Sequence, residues 1–339
     1  MSFDHNGTGI KGKLFGLPGT VEDASLVVIP VPWEVTVTYQ EGTAGAPEAI
    51  LQASHQIDLY HHHLAEAWKI PVAMLPVADT LVTENNSLRK LARTHIQALE
   101  AGQGAETGTV ITAKINEACE NLNIYIKSQA QALLQAGKHV AIVGGDHSTP
   151  LGLLRALAEK HDRFGILQID AHADLRKAYE GFTYSHGSIM FNALKLPAVA
   201  RIVQVGIRDY CEEEARMMQR ASGRVKTFFD PDIKAQLVEG TTWKSICEKI
   251  IQELPPLVYI SFDIDGLKPY LCPHTGTPVP GGFEFEEITY LLHILLKSGR
   301  KIIGFDLCEV GADAWDANMG ARILWELCQH TVASHKEKG

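Results

Sequence analysis

Phe164-Gly165-Ile166-Leu167-Gln168-Ile169-Asp170-Ala171-His172-Ala173-Asp174 is a short apolar run that ends in three metal-binding side chains. An extended chain sends successive side chains to opposite faces, so Asp170, His172 and Asp174 can all project to one side. Leu257-Val258-Tyr259-Ile260-Ser261-Phe262 leads in the same way into Asp263-Ile264-Asp265-Gly266. Val140-Ala141-Ile142-Val143 leads into Gly144-Gly145-Asp146-His147-Ser148, where the glycine pair permits a sharp turn. Near-continuous apolar runs of this length read as buried parallel strands. Ligands of open α/β sheets bind at the carboxyl ends of such strands. All three clusters therefore belong at one edge of one sheet.

The remainder of the chain supports that frame. Further strand-like runs lie at 24–29, 71–75, 201–205 and 301–305, and helical spacing is found at 113–136, 150–161, 212–220, 242–253, 285–298 and 319–336. Alternation of this kind predicts an α/β fold, three layers (αβα) around a mostly parallel central sheet. Residues 85–100 also have helical spacing, while 102–108 reads as a loop. No linker or composition break divides the 339 residues, so one domain is expected over 25–339, preceded by a polar, Gly-rich arm over 1–24.

Single motifs of this kind carry little weight. A carboxylate at a strand end is often a cap or turn former, and Asp146 and Ser148 are read that way. Three clusters together, each directly after a buried strand, resist that explanation, because several like charges in one place are costly to bury unless cations neutralise them. Two imidazoles (His147, His172) and four carboxylates (Asp170, Asp174, Asp263, Asp265), with no thiolate, form a mostly hard donor set. That set is about what two divalent metals sharing a water require. It suits Mn²⁺ better than structural zinc, and Mg²⁺ would take fewer histidines. Ni²⁺, Co²⁺ and Fe²⁺ remain open.

The strings GGDHS, DAHADLR and SFDIDGLKP, followed by TGTPVPGG at 275–282, resemble the arginase/agmatinase (ureohydrolase) family, in the style of its agmatinases. The resemblance extends through VPWE at 31–34, GTAGAPEAI at 42–50, QVGIR at 204–208 and FDLCEV at 305–310, and so covers the chain from about residue 25 onward. It implies that His147, Asp170, Asp174 and Asp263 hold one metal and that His172, Asp170, Asp263 and Asp265 hold the other, with Asp170 and Asp263 bridging. It also implies that Asp174 contacts the nucleophilic water, that His186 in YSHG shuttles a proton, and that Glu309 pairs with a substrate guanidinium. The activity implied is hydrolysis of a small cationic guanidino compound to urea and an amine, agmatine to putrescine first among them. Guanidinobutyrate, guanidinopropionate, arginine, free guanidine and formiminoglutamate are the alternatives. A homo-oligomer, trimer or hexamer, is implied as well.

Other classes fit less well. A metallophosphoesterase would share Asp170-x-His172 but needs G-D-x-x-D and G-N-H-[DE] strings, which are missing. A catalytically dead relative would be expected to lose ligands or Glu309. The net charge of −9 argues against nucleic acid as a partner. No signal peptide or transmembrane run is read, so no membrane role is expected. Six cysteines without a C-x-x-C pair fit reduced thiols and a cytoplasmic location. Lys268, in place of the family's usual Asp, is an extra cation expected near the mouth, and His274 is a second variable spot. Trp33, Tyr39 and Trp315 are read as candidate pocket walls. His61-His62-His63 reads as a solvated or interface patch, and Arg176 and Asp316 as structural pairing residues.

Overall fold

The structure, a computed structural model, describes residues 3–103, 106–221 and 223–336, without the side chains of 106–108. Its strands are β1 (Leu26–Val31), β2 (Val72–Met74), β3 (His139–Gly144), β4 (Phe164–Ile169), β5 (Val199–Ile207), β6 (Val225–Phe229), β7 (Leu257–Asp263) and β8 (Lys301–Cys308). The helices are α1 (Ala46–Ala53), α2 (Asp79–Glu100), α3 (Glu106–Gln135), α4 (Leu151–Lys160), α5 (Ile189–Leu194), α6 (Glu212–Arg220), α7 (Asp230–Val238), α8 (Trp243–Gln252), α9 (Phe285–Lys297) and α10 (Ala314–His335).

The strands form one sheet in the order β2-β1-β3-β8-β7-β4-β5-β6, and every neighbouring pair is parallel. Strand alternation divides the apolar side chains between two cores. Ala141, Val143, Leu167 and Ile169 pack on one face with residues of α1, α8, α9 and α10. Val140, Ile142, Phe164 and Ile166 pack on the other with α2, α3 and α4. Two cores separated by a sheet give the three-layer αβα architecture expected from the alternation of elements.

The seven expected strands are all present; the eighth, β6, is a half-exposed edge strand whose apolar pattern is weak. α1, α5 and α7 were not read from the sequence; α5 has only six residues, and α7 lacks a one-sided apolar pattern. The loop expected over 102–108 is shorter than that, because α3 begins at Glu106; positions 104–105 lie outside the described residues. Ahead of β1, Leu14, Phe15 and Leu17 enter the core, and Phe15 meets Trp325 of α10 edge-on at 4.9 Å. All six cysteines are free thiols and five are buried. Among the described residues no helix is long and apolar enough to cross a membrane.

The strand order decides which loops can meet. β3, β8, β7 and β4 are consecutive neighbours at the centre of the sheet. His147 follows β3, Glu309 follows β8, Asp263 ends β7 with Asp265 just beyond, and Asp170 follows β4.

Candidate metal centre

His147 stands at the middle of this cluster. Its Nδ1 lies 3.2 Å from Asp170 Oδ2, 3.1 Å from Asp174 Oδ2 and 3.3 Å from Asp263 Oδ2. Its Nε2 is 2.8 Å from Ser261 Oγ, which in turn donates to Asp306 Oδ2 at 2.9 Å. Because the serine proton is given to Asp306, Ser261 accepts from His147, and the Nε2 proton is fixed. Nδ1 is left as a buried atom with no hydrogen-bond partner, facing three carboxylate oxygens. The spacings match the roughly 3–3.4 Å edges of a coordination shell with ~2.0–2.2 Å bonds.

A second pole lies beside the first. His172 Nδ1 is 2.9 Å from Asp265 Oδ2 and 3.7 Å from Asp170 Oδ1. Asp170 thus turns one oxygen to each imidazole, the disposition of a bridging carboxylate. Asp265 Oδ1 accepts from the Ala171 amide at 3.0 Å, while its Oδ2 is buried without a hydrogen-bond donor. The unpartnered His147 and Asp265 atoms, and the oxygen-rich donor set, fit two hard or borderline divalent cations. His147, Asp170 and Asp174 offer ligand atoms within 4.8 Å of one another, as do Asp170, His172 and Asp265; Asp263 joins through His147.

Protons stand in for cations in the electrostatics of these groups. Burial opposes the His147 imidazolium, yet the facing carboxylates of Asp170, Asp174 and Asp263 hold it well above the usual range. Burial likewise opposes the charge on His172, but Asp265 carries it up to about 10. Burial also disfavours the Asp265 carboxylate, but His172 brings it down to about 2. Burial and then Asp170 push Asp174 up to about 7. Burial and then Asp265 raise Asp263 well above the ordinary carboxylate range.

The remaining candidates surround this pair. His186 shares a cleft of about 240 Å³ with His172, Asp174, Tyr39, Arg176 and Asp209. Burial, followed by His172 and His147, pushes His186 down to about 3. Glu309 is buried beneath the wall rather than lining that cleft. Its Oε1 accepts from the His147 amide at 3.0 Å, and its Oε2 is buried without a partner. A Cβ on Gly276 would come within 2.9 Å of that oxygen, so a side chain there would press on it. Glu309 and Asp174 adopt left-handed backbone with φ of 61° and 53°. Such a conformation costs on the order of 1–3 kcal/mol in a residue other than glycine and collects at functional sites.

Several expectations need correction. Trp33 is fully buried and cannot wall the cleft; only Tyr39 of the three aromatics lines it, and Trp315 instead donates Nε1 to the Tyr270 carbonyl. Lys268 is bound to Glu284 at 2.6 Å and does not line the cleft. Asp316 binds the His274 amide and ring, as a pairing residue would, and Asp146 spends its carboxylate on Ser148 and Thr36. Arg176 pairs with Glu214 at 3.7 Å and stacks on Tyr179, yet it also faces the cleft.

The sequence reading missed the support beneath the ligands. Thr227, Gln204, Gln168, Ser261 and Asp306 occupy one register level across five adjacent strands. Thr227 donates to Gln204 at 2.8 Å, Gln204 to Gln168 at 2.7 Å, and Gln168 to Asp170 Oδ2 at 2.8 Å. Gln168 and Ser261 lie two residues before Asp170 and Asp263, on the same strand face. A lone polar residue inside each apolar strand was the available signal. Arg208 adds a staple, donating to the carbonyls of Asp265, Leu267 and Val279.

A family model described as the arginase family matches residues 24–332. An N(1)-aminopropylagmatine ureohydrolase of Synechocystis sp. is 28% identical over 289 residues, 85% of this chain and 82% of its own. One of the same name from Thermus thermophilus is 30% identical over 291 residues, 85% of this chain and 83% of its own. The crystal structure of an agmatine ureohydrolase from Thermoplasma volcanium superposes with a TM-score of 0.72 at 23% identity, covering 95% of this chain and 94% of that one.

Two outcomes are expected. Ser261→Ala removes the acceptor that fixes the His147 tautomer and should weaken Mn²⁺ binding by about 10–100-fold, read by titration of the metal-free protein; an unchanged affinity would remove Ser261 from the centre. Relative to the metal-bound protein, the metal-free protein should also lose thermal stability as pH rises from 5 to 8. Asp174 is raised to about 7, so stability held while it is protonated disappears as it ionises among its neighbours. The raised His147 acts in the same direction, because it too loses its proton as pH rises. The stabilisation by metal should therefore grow from pH 5 to 8, and a metal-free curve that falls no more steeply than the metal-bound one would refute the electrostatic origin of the effect.

Proposed function

The chain belongs to the arginase family, hydrolases of amidino C–N bonds that depend on a binuclear metal centre, and from that premise we propose that it converts agmatine to putrescine and urea with two Mn²⁺ ions. The observation that carries this reading is Glu309 Oε2, a buried and unpartnered carboxylate oxygen beside the imidazole–carboxylate cluster. A planar guanidinium is the cation whose paired N–H groups suit a carboxylate.

His147, Asp170, Asp174 and Asp263 would hold one cation, and His172, Asp170, Asp263 and Asp265 the other. When bound, the pair would supply a water acidic enough to be a nucleophile near neutral pH. Glu309, reached past the unsubstituted Gly276, would orient the guanidinium so that its carbon faces that water. Asp174 accepts a hydrogen bond from the nucleophile and fixes its direction. His186, held down to about 3, carries no extra proton at neutral pH. It can therefore take one from the nucleophile and pass it to the departing amine, which leaves as a neutral molecule. Asp209, whose side chain is 67% exposed at the cleft, suits a cationic tail on the substrate. Relatives named for an aminopropyl-extended agmatine favour the same kind of tail.

One observation favours a second reading. Arg176 faces the cleft, and although Glu214 compensates it, it could instead receive a carboxylate tail, as in guanidinobutyrate or guanidinopropionate.

Urea release by the Mn²⁺-loaded protein separates these. Agmatine and its N(1)-aminopropyl derivative should show kcat/KM at least tenfold above guanidinobutyrate, guanidinopropionate, arginine and free guanidine. The reverse order would transfer the assignment to the acid-tailed substrates, and no urea from any of them, with two metals bound, would end it. His186→Ala should keep its metal content and slow turnover by ~10²-fold; a wild-type rate would exclude it as the proton carrier.

A further inference from the structure

A second group of metal-ligating side chains lies away from the cleft. The segment containing His61, His62 and His63 folds against α9 and the second half of α10, around a cavity of about 420 Å³ that His293, Glu326 and His330 also line. Glu326 is roughly 18 Å along α10 from the helix start, at 1.5 Å per residue. None of these residues touches the cleft described above.

Of the expected solvated or interface patch, His61 is not solvated, being only 9% exposed. Its Nε2 lies 3.2 Å from Glu326 Oε2. His330 is 1% exposed. Its Nδ1 donates to the Glu326 carbonyl at 2.8 Å, which fixes the tautomer and leaves the lone pair on Nε2. That Nε2 is buried and has no partner. A histidine whose Nδ1–H is held by a backbone carbonyl, with its other nitrogen bare, is the usual arrangement of a metal ligand. His61, Glu326 and His330 each offer a ligand atom within 4.8 Å of the others, and the His330 ring comes to 3.6 Å from Glu326 Oε2 at its Nδ1 edge. The 3.2 Å edge between His61 and Glu326 is close to the ~3.3 Å expected of a tetrahedral site with ~2.0 Å bonds.

We propose that His61, Glu326 and His330 form a separate metal site for a borderline divalent ion of the Zn²⁺ type, with its fourth position open to the cavity. Two imidazoles and one carboxylate are a softer set than the oxygen-rich cluster at the sheet edge, so the two sites differ in preference. In the empty site the His63 amide donates to His61 Nδ1 at 3.1 Å, so His61 carries its proton on Nε2. On metal binding the proton moves to Nδ1 and Nε2 becomes the ligand. The His63 amide is then released into a loop without regular structure. The bound ion ties this loop to α10 through Glu326 and the His330 ring.

Zn²⁺ bound per chain, counted by elemental analysis after equilibrium dialysis, tests this on the full-length protein. His61→Asn alters only a loop residue, and Glu326→Gln keeps the shape of the helix residue. Each should bind one equivalent less than the wild-type protein, while Asp263→Asn should retain that equivalent. The comparison is a difference, so it holds however many ions the sheet-edge centre takes. Co²⁺ substitution should give a tetrahedral visible spectrum whose intensity falls in both variants. If both bind as much Zn²⁺ as the wild type, the site does not exist.

Discussion

Everything at the functional end of this molecule depends on one electrostatic constraint: a bare imidazole nitrogen, His147 Nδ1, is surrounded by three carboxylate oxygens at 3.1–3.3 Å. Lone pairs at that spacing repel, and the surroundings are too dry to screen them. A positive charge has to lie among them, either a proton or a metal ion. The raised proton affinities of His147, Asp174 and Asp263 express the same demand. The cluster is therefore built against its own stability and is completed only by its cations.

Holding such a cluster requires polar support in a sheet that is otherwise apolar. Thr227, Gln204, Gln168, Ser261 and Asp306 provide it at one register level below the cluster, in two hydrogen-bonded runs. Thr227, Gln204 and Gln168 orient Asp170, and Asp306 and Ser261 orient His147, so a side chain of the cluster is fixed by residues up to two strands away. The row also explains why polar groups are tolerated between two hydrophobic cores, since buried donors and acceptors that find each other avoid most of the desolvation cost. At the other border, Arg208 holds three loop carbonyls together and fixes the wall formed by residues 275–282.

The central sheet was legible in the sequence because parallel strands buried on both faces leave uninterrupted apolar runs. The edge strand β6, half in water, leaves none. The candidate ligands were legible for a related reason: three such runs each end in carboxylates or imidazoles, and caps or turns do not account for all three together. What could not be read was distance. Trp33 and Tyr39 are close in sequence, yet one is core and the other faces the cleft, because the chain turns between them. Lys268 reads as a mouth residue, but Glu284, sixteen positions on, binds it. The three adjacent histidines at 61–63 read as a solvated or interface patch because their partners within the chain, on α9 and α10, are more than two hundred residues away.

The strand order β3-β8-β7-β4 has a consequence for how the protein is made. β3 and β4 appear early in the chain, but they are not neighbours; β7 and β8, from the last third, fit between them. Until those two strands insert, the sheet is two fragments with open edges, each a template for pairing with the wrong chain. The ligands are divided in the same way, with His147 on one fragment and Asp170, His172 and Asp174 on the other. A partly synthesised chain therefore has no complete site to offer an ion. Occupancy marks a finished sheet, and the metals act as the last closure of the fold.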